Sequence, residues 1–346
     1  MTSLDAGQLR PNRSVDDNDV TILLSSAGRR GALVEALREG AALANVSLRL
    51  VATDCSVLSA AAQLCDTFYQ VPRISDPAFL NAMLQIVDVE GPLLIVPTID
   101  TELAILAENR KRFVDAGADV LVSSTDTVEI CSDKSKSSEW LRTNGFPVPK
   151  QYRWDELIDL PAEAWPLFFK PKNGSSSVGA QLVHSPSQVA VAIEQYGRGV
   201  IEEFVDGDEY TVDCWVDAAG SCTAEVPRLR LATRAGEVSK GTTVGYAELQ
   251  EITAAIAESL PNAFGPLTMQ AIDGPQGLRV IEVNPRFGGG YPLTHEAGCK
   301  LTAAVVAEAA GIPSAPEWFD WHPGVTMLRY DDAVFLAPSA SGGTVE

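Results

Sequence analysis

From residue 19 onward, apolar positions recur with two periods. "VTILLSS" is a short unbroken apolar run, the pattern of a strand buried on both faces, and "GALVEALREGAAL" has the 3.6-residue spacing of an amphipathic helix. "LRLVAT" is a second buried run closing at Asp54, and "PAFLNAMLQIV" a second helix. "PLLIVPT", "TELAILAENRKRF" and "DVLVS" continue as strand, helix, strand. Strands alternating with helices predict a parallel sheet covered on both faces, an α/β domain over residues 19–130. Residues 1–18 are polar and are expected to form a tail, as are 337–346.

The pattern then changes. "DKSKSSEWLRTNGFPVP" (133–149) predicts a helix ending at Asn144-Gly145, followed by an extended, proline-punctuated link. "WPLFFKPKNGSSSVGAQLVH" (165–184) reads as strand, small-residue loop, strand. "GVIEEFVDGDEYTVDCWVD" (199–217) is a strand, an acidic turn and a long alternating strand. "CTAEVPRLRLAT" and "GEVSKGTTV" continue antiparallel, a helix follows near 247–260, and "PLTMQAID" and "LRVIEVN" close the pattern.

Composition narrows the function. With 346 residues, 46% of them hydrophobic, the chain can bury a large core. A formal charge of −20 excludes general affinity for nucleic acid or acidic membranes, so a bound anion needs a local cluster of donors. Six cysteines form no CxxC pair, which predicts reduced thiols and a cytoplasmic location. Three histidines exclude a His-rich metal site, and no segment approaches ~20 consecutive apolar residues.

Candidate chemistry concentrates in a few stretches. A dinucleotide site would need G-x-G-x-x-G after the first strand, whereas "SSAGRRG" offers only Gly28 and Gly31, which reads as a tight turn into a helix. The loop "GSSSVGA" (174–180) lacks the Lys-Ser/Thr of a P-loop. Its backbone N–H groups and the hydroxyls of Ser175, Ser176 and Ser177, behind Lys170 and Lys172, suit phosphate oxygens; a plain hairpin turn is the other reading. Glu202, Glu203 and Glu209 bracket the apolar step Phe204-Val205, which could line a flat aromatic ligand. In "VIEVNPRFGGG" (280–290), alternation puts Glu282 and Asn284 on one strand face, with Arg286 and three glycines behind. That pair suits Mg²⁺, which takes hard oxygen at ~2.1 Å from one or two carboxylates plus phosphates; an exposed strand end is the alternative.

These pieces, in this order and at these separations, resemble the ATP-grasp superfamily over roughly residues 20–312, and within it stand-alone carboxylate–amine ligases related to the large chain of carbamoyl-phosphate synthetase. The resemblance implies a Rossmann-like preATP-grasp domain (19–130) followed by a two-subdomain α+β ATP-grasp fold, with a lid or central subdomain at 131–200 and a C-terminal subdomain at 201–336. It implies that Lys134 and Lys170 touch the nucleotide phosphates, under a flap of Ser175, Ser176, Ser177 and Val178. Glu202 and the backbone of Glu203 and Val205 would read the adenine edge beside Phe204, and Glu209 would hold the ribose. The implied cofactors are ATP and one or two Mg²⁺, with Mn²⁺ able to substitute, on Gln270, Glu282 and Asn284. Gln270 stands where the commonest pattern has an acid and marks the carbamoyl-phosphate-synthetase branch. Arg286 would serve the transferring phosphoryl group.

The implied reaction phosphorylates a carboxylate to an acylphosphate, which an amine then captures, with ADP and phosphate released. Positioning and charge neutralisation carry such chemistry, so scarcity of histidine is no obstacle. The expected partners are a small carboxylic acid, an amino acid above all, and an amine; a homodimer is admitted. Phosphorylation of bicarbonate or carbamate is the alternative activity, and a nucleotide-binding regulatory subunit a third. In the basic run 225–244, Arg228 and Arg230 share a strand face and are candidates for a carboxylate clamp, with Arg234 and Lys240 nearby; surface ion pairs explain the same run. His295 reads as structural, with contact to substrate as the other reading.

Overall fold

A computed structural model describes residues 19–172, 178–234 and 236–336. The N-terminal domain opens with β1 (Asp19–Ser25), α1 (Gly31–Leu43), β2 (Ser47–Asp54), β3 (Thr67–Gln70), α2 (Phe79–Glu90) and β4 (Leu94–Pro97). It closes with α3 (Asp100–Glu108), α4 (Arg110–Asp115) and β5 (Asp119–Val120). All its strands pair in parallel, in the order β3-β2-β1-β4-β5. Strand β3 was not expected. Its "TFYQ" is half-buried to exposed and carries no apolar run, because it is an edge strand. Asn109 splits the single helix expected over residues 101–113 into α3 and α4.

The strand order reverses between β1 and β4, and ligands of open parallel sheets bind beyond the strand ends at such a switch point. The turns there are Ser26–Arg30 after β1 and Thr98–Ile99 after β4. Glu102 ties them together: its buried carboxylate accepts from the Ser25 and Ser26 hydroxyls and the Thr98 N–H at 2.6, 2.8 and 2.8 Å. Asp54 accepts from the Gly28 and Ser56 N–H groups, so the acid ending β2 stitches a turn.

Next come α5 (Thr125–Ser132), α6 (Lys134–Thr143), β6 (Leu167–Pro171), β7 (Gln181–Val183), α7 (Pro186–Tyr196) and β8 (Gly199–Glu203). Strands β6, β7 and β8 form a small antiparallel sheet, the lid. The remainder is β9 (Asp208–Val216), β10 (Cys222–Arg234), β11 (Glu237–Thr243), α8 (Ala247–Ser259), β12 (Gly265–Gly274), β13 (Gly277–Asn284), α9 (Tyr291–Glu296), α10 (Leu301–Ala310) and β14 (Thr326–Leu328). Its six-stranded sheet runs β13-β12-β9-β10-β11-β14.

Two expected boundaries move. A division at 200/201 cuts through β8, which belongs to the lid, so the break falls after Glu203. Helix α6 is not part of the lid either: Leu141 is buried in the core of the large sheet with Val212, Met269 and Val283. Helix α10 returns to the N-terminal domain. There Gly40 of α1 lies so close that a Cβ would stand 2.6 Å from the Thr302 backbone. No helix among the described residues is long and apolar enough to cross a membrane.

Candidate active site

The two sheets and the switch-point turns enclose a cleft of about 630 Å³. In an otherwise acidic chain, six Lys and Arg and seven Asp and Glu residues line its wall. This is the local donor cluster that anion binding requires.

One wall is the lid. On β6, Leu167 and Phe169 are buried in the lid core, which leaves Phe168 and Lys170 facing the cleft, as period-2 alternation requires. Phe168 is in register with Glu202 on β8, and Lys170 is ion-paired with Glu202. Glu202 is almost fully buried, and that desolvation pushes its carboxyl above the usual range, with Lys170 opposing. The Glu203 carboxylate accepts from the Lys150 N–H and lies 3.5 Å from Arg279, so it offers the cleft only main chain. Phe204, Val205, Ile272 and Ile281 give this end an apolar lining, and Val178 lines it from the loop after β6. Ser175, Ser176 and Ser177 lie outside the described residues.

The floor is the large sheet. Gln270 of β12 pairs in register with Glu282 of β13 and with Thr211 of β9, and Thr211 pairs with Arg228 of β10. One cross-strand row thus carries Glu282, Gln270, Thr211 and Arg228; the next carries Asn284, Thr268 and Asp213. Leu278, Val280 and Val283 all enter the core, which strict alternation forbids. A β-bulge at Ile281 resets the phase, so Ile281 and Glu282 both face the cleft. Lys134 approaches from α6, 3.5 Å from Glu282. Its helix is capped by Asp133, which accepts from the Ser135 N–H at 2.9 Å and pairs with Lys172 at 3.1 Å.

Arg286 donates to Asp100 of α3 at 2.5 Å, joining the floor to the switch point. The glycines behind it sit in crowded positions, where an added Cβ would have to displace a neighbouring side chain. A Cβ on Gly288 would stand 2.8 Å from the Thr268 hydroxyl, on Gly289 2.5 Å from the Glu237 carboxyl carbon, and on Gly290 2.6 Å from Val238.

The basic run 225–244 divides. Arg230 pairs with Glu209, donates to the Gln270 amide oxygen at 3.1 Å and to the Gly236 carbonyl at 3.0 Å, and so belongs to the site. Glu209, expected at a ribose, has Arg230 as its partner; burial pushes its carboxyl up. Arg234 pairs with Asp331 in an exposed contact, and Lys240 is exposed.

Arg228 lines the cleft but is fully buried, which excludes a surface ion pair, and its fork is engaged by Asp213 at 2.6 and 3.0 Å and by Thr294 at 3.1 Å. Asp213 and Thr294 together take three of its five N–H groups, and its Nε is buried without a partner. His295 is absent from the lining; it bonds Glu39 of α1 at 2.7 Å, as a structural histidine does. Reading the sequence left out Arg30, Asp100 and Glu237, which come from a turn, the start of α3 and the start of β11, far apart in the chain. Only Arg30 carried a signal, as part of "SSAGRRG".

The donor set fits magnesium and a polyphosphate. Gln270, Glu282 and Asn284 present hard oxygens with a single carboxylate, so phosphate oxygens would complete the charge. Lys134, Lys170 and Arg286 stand around them.

Residues 22–121 match the family described as the PylC-like N-terminal domain, and residues 131–290 match the ATP-grasp domain. The 3-methyl-D-ornithine–L-lysine ligase of Methanosarcina acetivorans is 29% identical over 168 residues, 48% of this chain and 42% of the relative. A carbamoyl-phosphate synthase of Methanobrevibacter smithii is 26% identical over 153 residues, 43% of this chain and 41% of the relative. The chain therefore spans less than half the length of these curated relatives. Among solved structures, biotin carboxylase from Campylobacter jejuni superposes with a TM-score of 0.67 over 87% of this chain and 73% of that one. At 17% identity this is a likeness of fold.

Proposed function

The chain belongs to the ATP-grasp superfamily, and on that premise we propose that it is an ATP-dependent carboxylate–amine ligase. It would phosphorylate a small carboxylic acid, an amino acid by preference, and join it to an amine with release of ADP and phosphate. The observation that carries this reading is the convergence of Gln270, Glu282, Asn284, Lys134, Lys170 and Arg286 on one cleft with an apolar far end. Relatives that are ligases support it. Six free cysteines support a reducing, cytoplasmic setting.

The apolar end, between Phe168, Phe204, Val205 and Ile272, suits an adenine ring. Lys170 is held toward the phosphates by Glu202, whose own burial makes the pair rigid rather than solvated. Gln270, Glu282 and Asn284 would hold Mg²⁺, for which Mn²⁺ would substitute; the ion would neutralise the charge shared by the β- and γ-phosphates. Arg286, fixed by Asp100, would stabilise the charge that develops on the phosphoryl group when a carboxylate attacks it. A carboxylate needs no general base, and the described lining contains no histidine.

The test is nucleotide product analysis with Mg-ATP and a matrix of amino acids, bicarbonate and amines. ADP, phosphate and an amide-bonded product are expected. AMP and pyrophosphate would refute the reading, and ADP formation with bicarbonate alone would favour carbamate-type chemistry.

A further inference from the structure

The turn "SSAGRRG", too poor in glycine for a dinucleotide, has a second use. Arg30 leaves the end of β1 at the switch point and lines the ligase cleft. One guanidinium nitrogen donates to the Thr98 carbonyl at 3.2 Å, which fixes its direction. The other lies 3.7 Å from the Glu237 carboxylate, which reaches across from β11. That separation is about 0.8 Å longer than a charge-assisted hydrogen bond, so neither charge is saturated by the other. Glu237 is further held by Arg329 at 3.2 Å, and Arg329 also anchors the Gly289 carbonyl at 2.5 Å. The pair therefore sits between Thr98 and Arg329, beside the glycines that follow Arg286. Side-chain exposures of 18% and 36% leave Arg30 largely shielded and Glu237 reachable from solvent.

We propose that Arg30 and Glu237 form the subsite for a zwitterionic amino acid, Arg30 taking the α-carboxylate and Glu237 the α-ammonium. This rests on the ligase reading and deepens it. A cation and an anion fixed side by side, on opposite walls of a cleft, present the mirror of an amino acid's own charges. Arg286 and Asp100 lie on the same side of the cleft, so the amino acid would be held next to the phosphoryl-transfer end. Burial lowers the Arg30 pKa somewhat, which Glu237 opposes.

The experiment is equilibrium titration calorimetry of the full chain with Mg-AMPPNP present. The probes are the protein amino acids, each beside its carboxamide, which keeps the ammonium and loses the carboxylate. The wild type should bind at least one amino acid about ten-fold or more tighter than its carboxamide, as loss of one charge-assisted bond requires. Arg30→Gln should abolish that preference, Arg30→Lys should retain part of it, and Glu237→Gln should weaken both ligands alike. Thermal melting of each variant shows whether it is folded. A wild type that binds no amino acid, or an Arg30→Gln protein that keeps its preference, overturns the proposal. Product analysis separates the two readings. The calorimetric pattern without ADP release removes the ligase reading and leaves the subsite; ADP release without the pattern does the reverse.

Discussion

Replacing Arg228 by Ala should damage the fold far more than any one substrate constant. The Arg228 and Asp213 side chains are 1% and 3% exposed, and two bonds of 2.6 and 3.0 Å join them. Removing one partner of a buried pair strands the other charge, at about 3–5 kcal/mol. Asp213 would keep the hydroxyls of Thr268 at 3.0 Å and Thr294 at 2.7 Å, which places the loss at the lower end of that range. Against a total stability of about 5–15 kcal/mol, this is a large fraction. At about 2–4 °C per kcal/mol for a large domain, melting should fall by roughly 6–12 °C. Differential scanning calorimetry and urea unfolding followed by circular dichroism measure it. Arg228→Met combined with Asp213→Leu should recover much of the loss, because a well-packed apolar pair replaces the ions without a stranded charge. An Arg228→Ala protein that melts within about 1 °C of wild type, while its KM for the acid alone rises, would refute the reasoning and return Arg228 to the substrate.

Three further outcomes follow from the site. Glu282→Ala should abolish turnover while melting changes little, because the set Gln270, Glu282, Asn284 loses its only carboxylate and the residue is partly exposed; undiminished activity in an ADP-release assay would place the metal elsewhere. Lys170→Ala should raise the KM for ATP, or lower kcat, about ten-fold or more whichever acid is supplied, as loss of a charge-assisted contact implies; an effect confined to one acid would contradict a phosphate role. Burial holds the His295 pKa below its ordinary 6.5, so the folded form keeps it neutral and the unfolded chain binds the extra proton. Stability should therefore fall as pH drops through about 6.5, a window above that in which Glu39, its depressed partner, titrates. His295→Gln should flatten this slope in urea unfolding at about pH 7 and pH 5.5, and an unchanged slope would mean that another group carries it.

Much of the architecture was legible because burial writes itself into period. The 13 residues Gly31–Leu43 and the strand Asp19–Ser25 fall where apolar spacing predicts, since each packs one defined face or two. Strand β3 and helix α7 escaped for the opposite reason. The first is an edge with no buried face to mark it, and the second buries only Val189 and Ala192 to any depth. In the cleft, same-face pairs on one strand were readable: Glu282 with Asn284, and Arg228 with Arg230. Their partners were not. Arg228 meets Asp213 because β10 and β9 pair antiparallel, with Val226 opposite Asp213, and that register depends on the turn between them. Arg286 meets Asp100 across 186 residues and two domains.

The bulge at Ile281 shows how far local reading reaches. Counting backward from Asn284 by twos puts Glu282 on the cleft face. Counting forward from the core residues Leu278 and Val280 puts it in the core. Both counts obey the same rule, and only an inserted residue reconciles them. The insertion costs one regular pairing and keeps on the cleft face a carboxylate that would otherwise be buried unpaired in the core. The departure from regular structure therefore sits at the residue that the proposed chemistry most needs. Arg30 departs in the same sense: a turn that looked incomplete as a nucleotide fingerprint instead carries a guanidinium to the opposite wall. Charge carried by a turn leaves no period behind it, whereas Glu282 and Asn284 alternate on one strand, which is why the Glu282 end of this cleft could be sketched from sequence and its switch-point end could not.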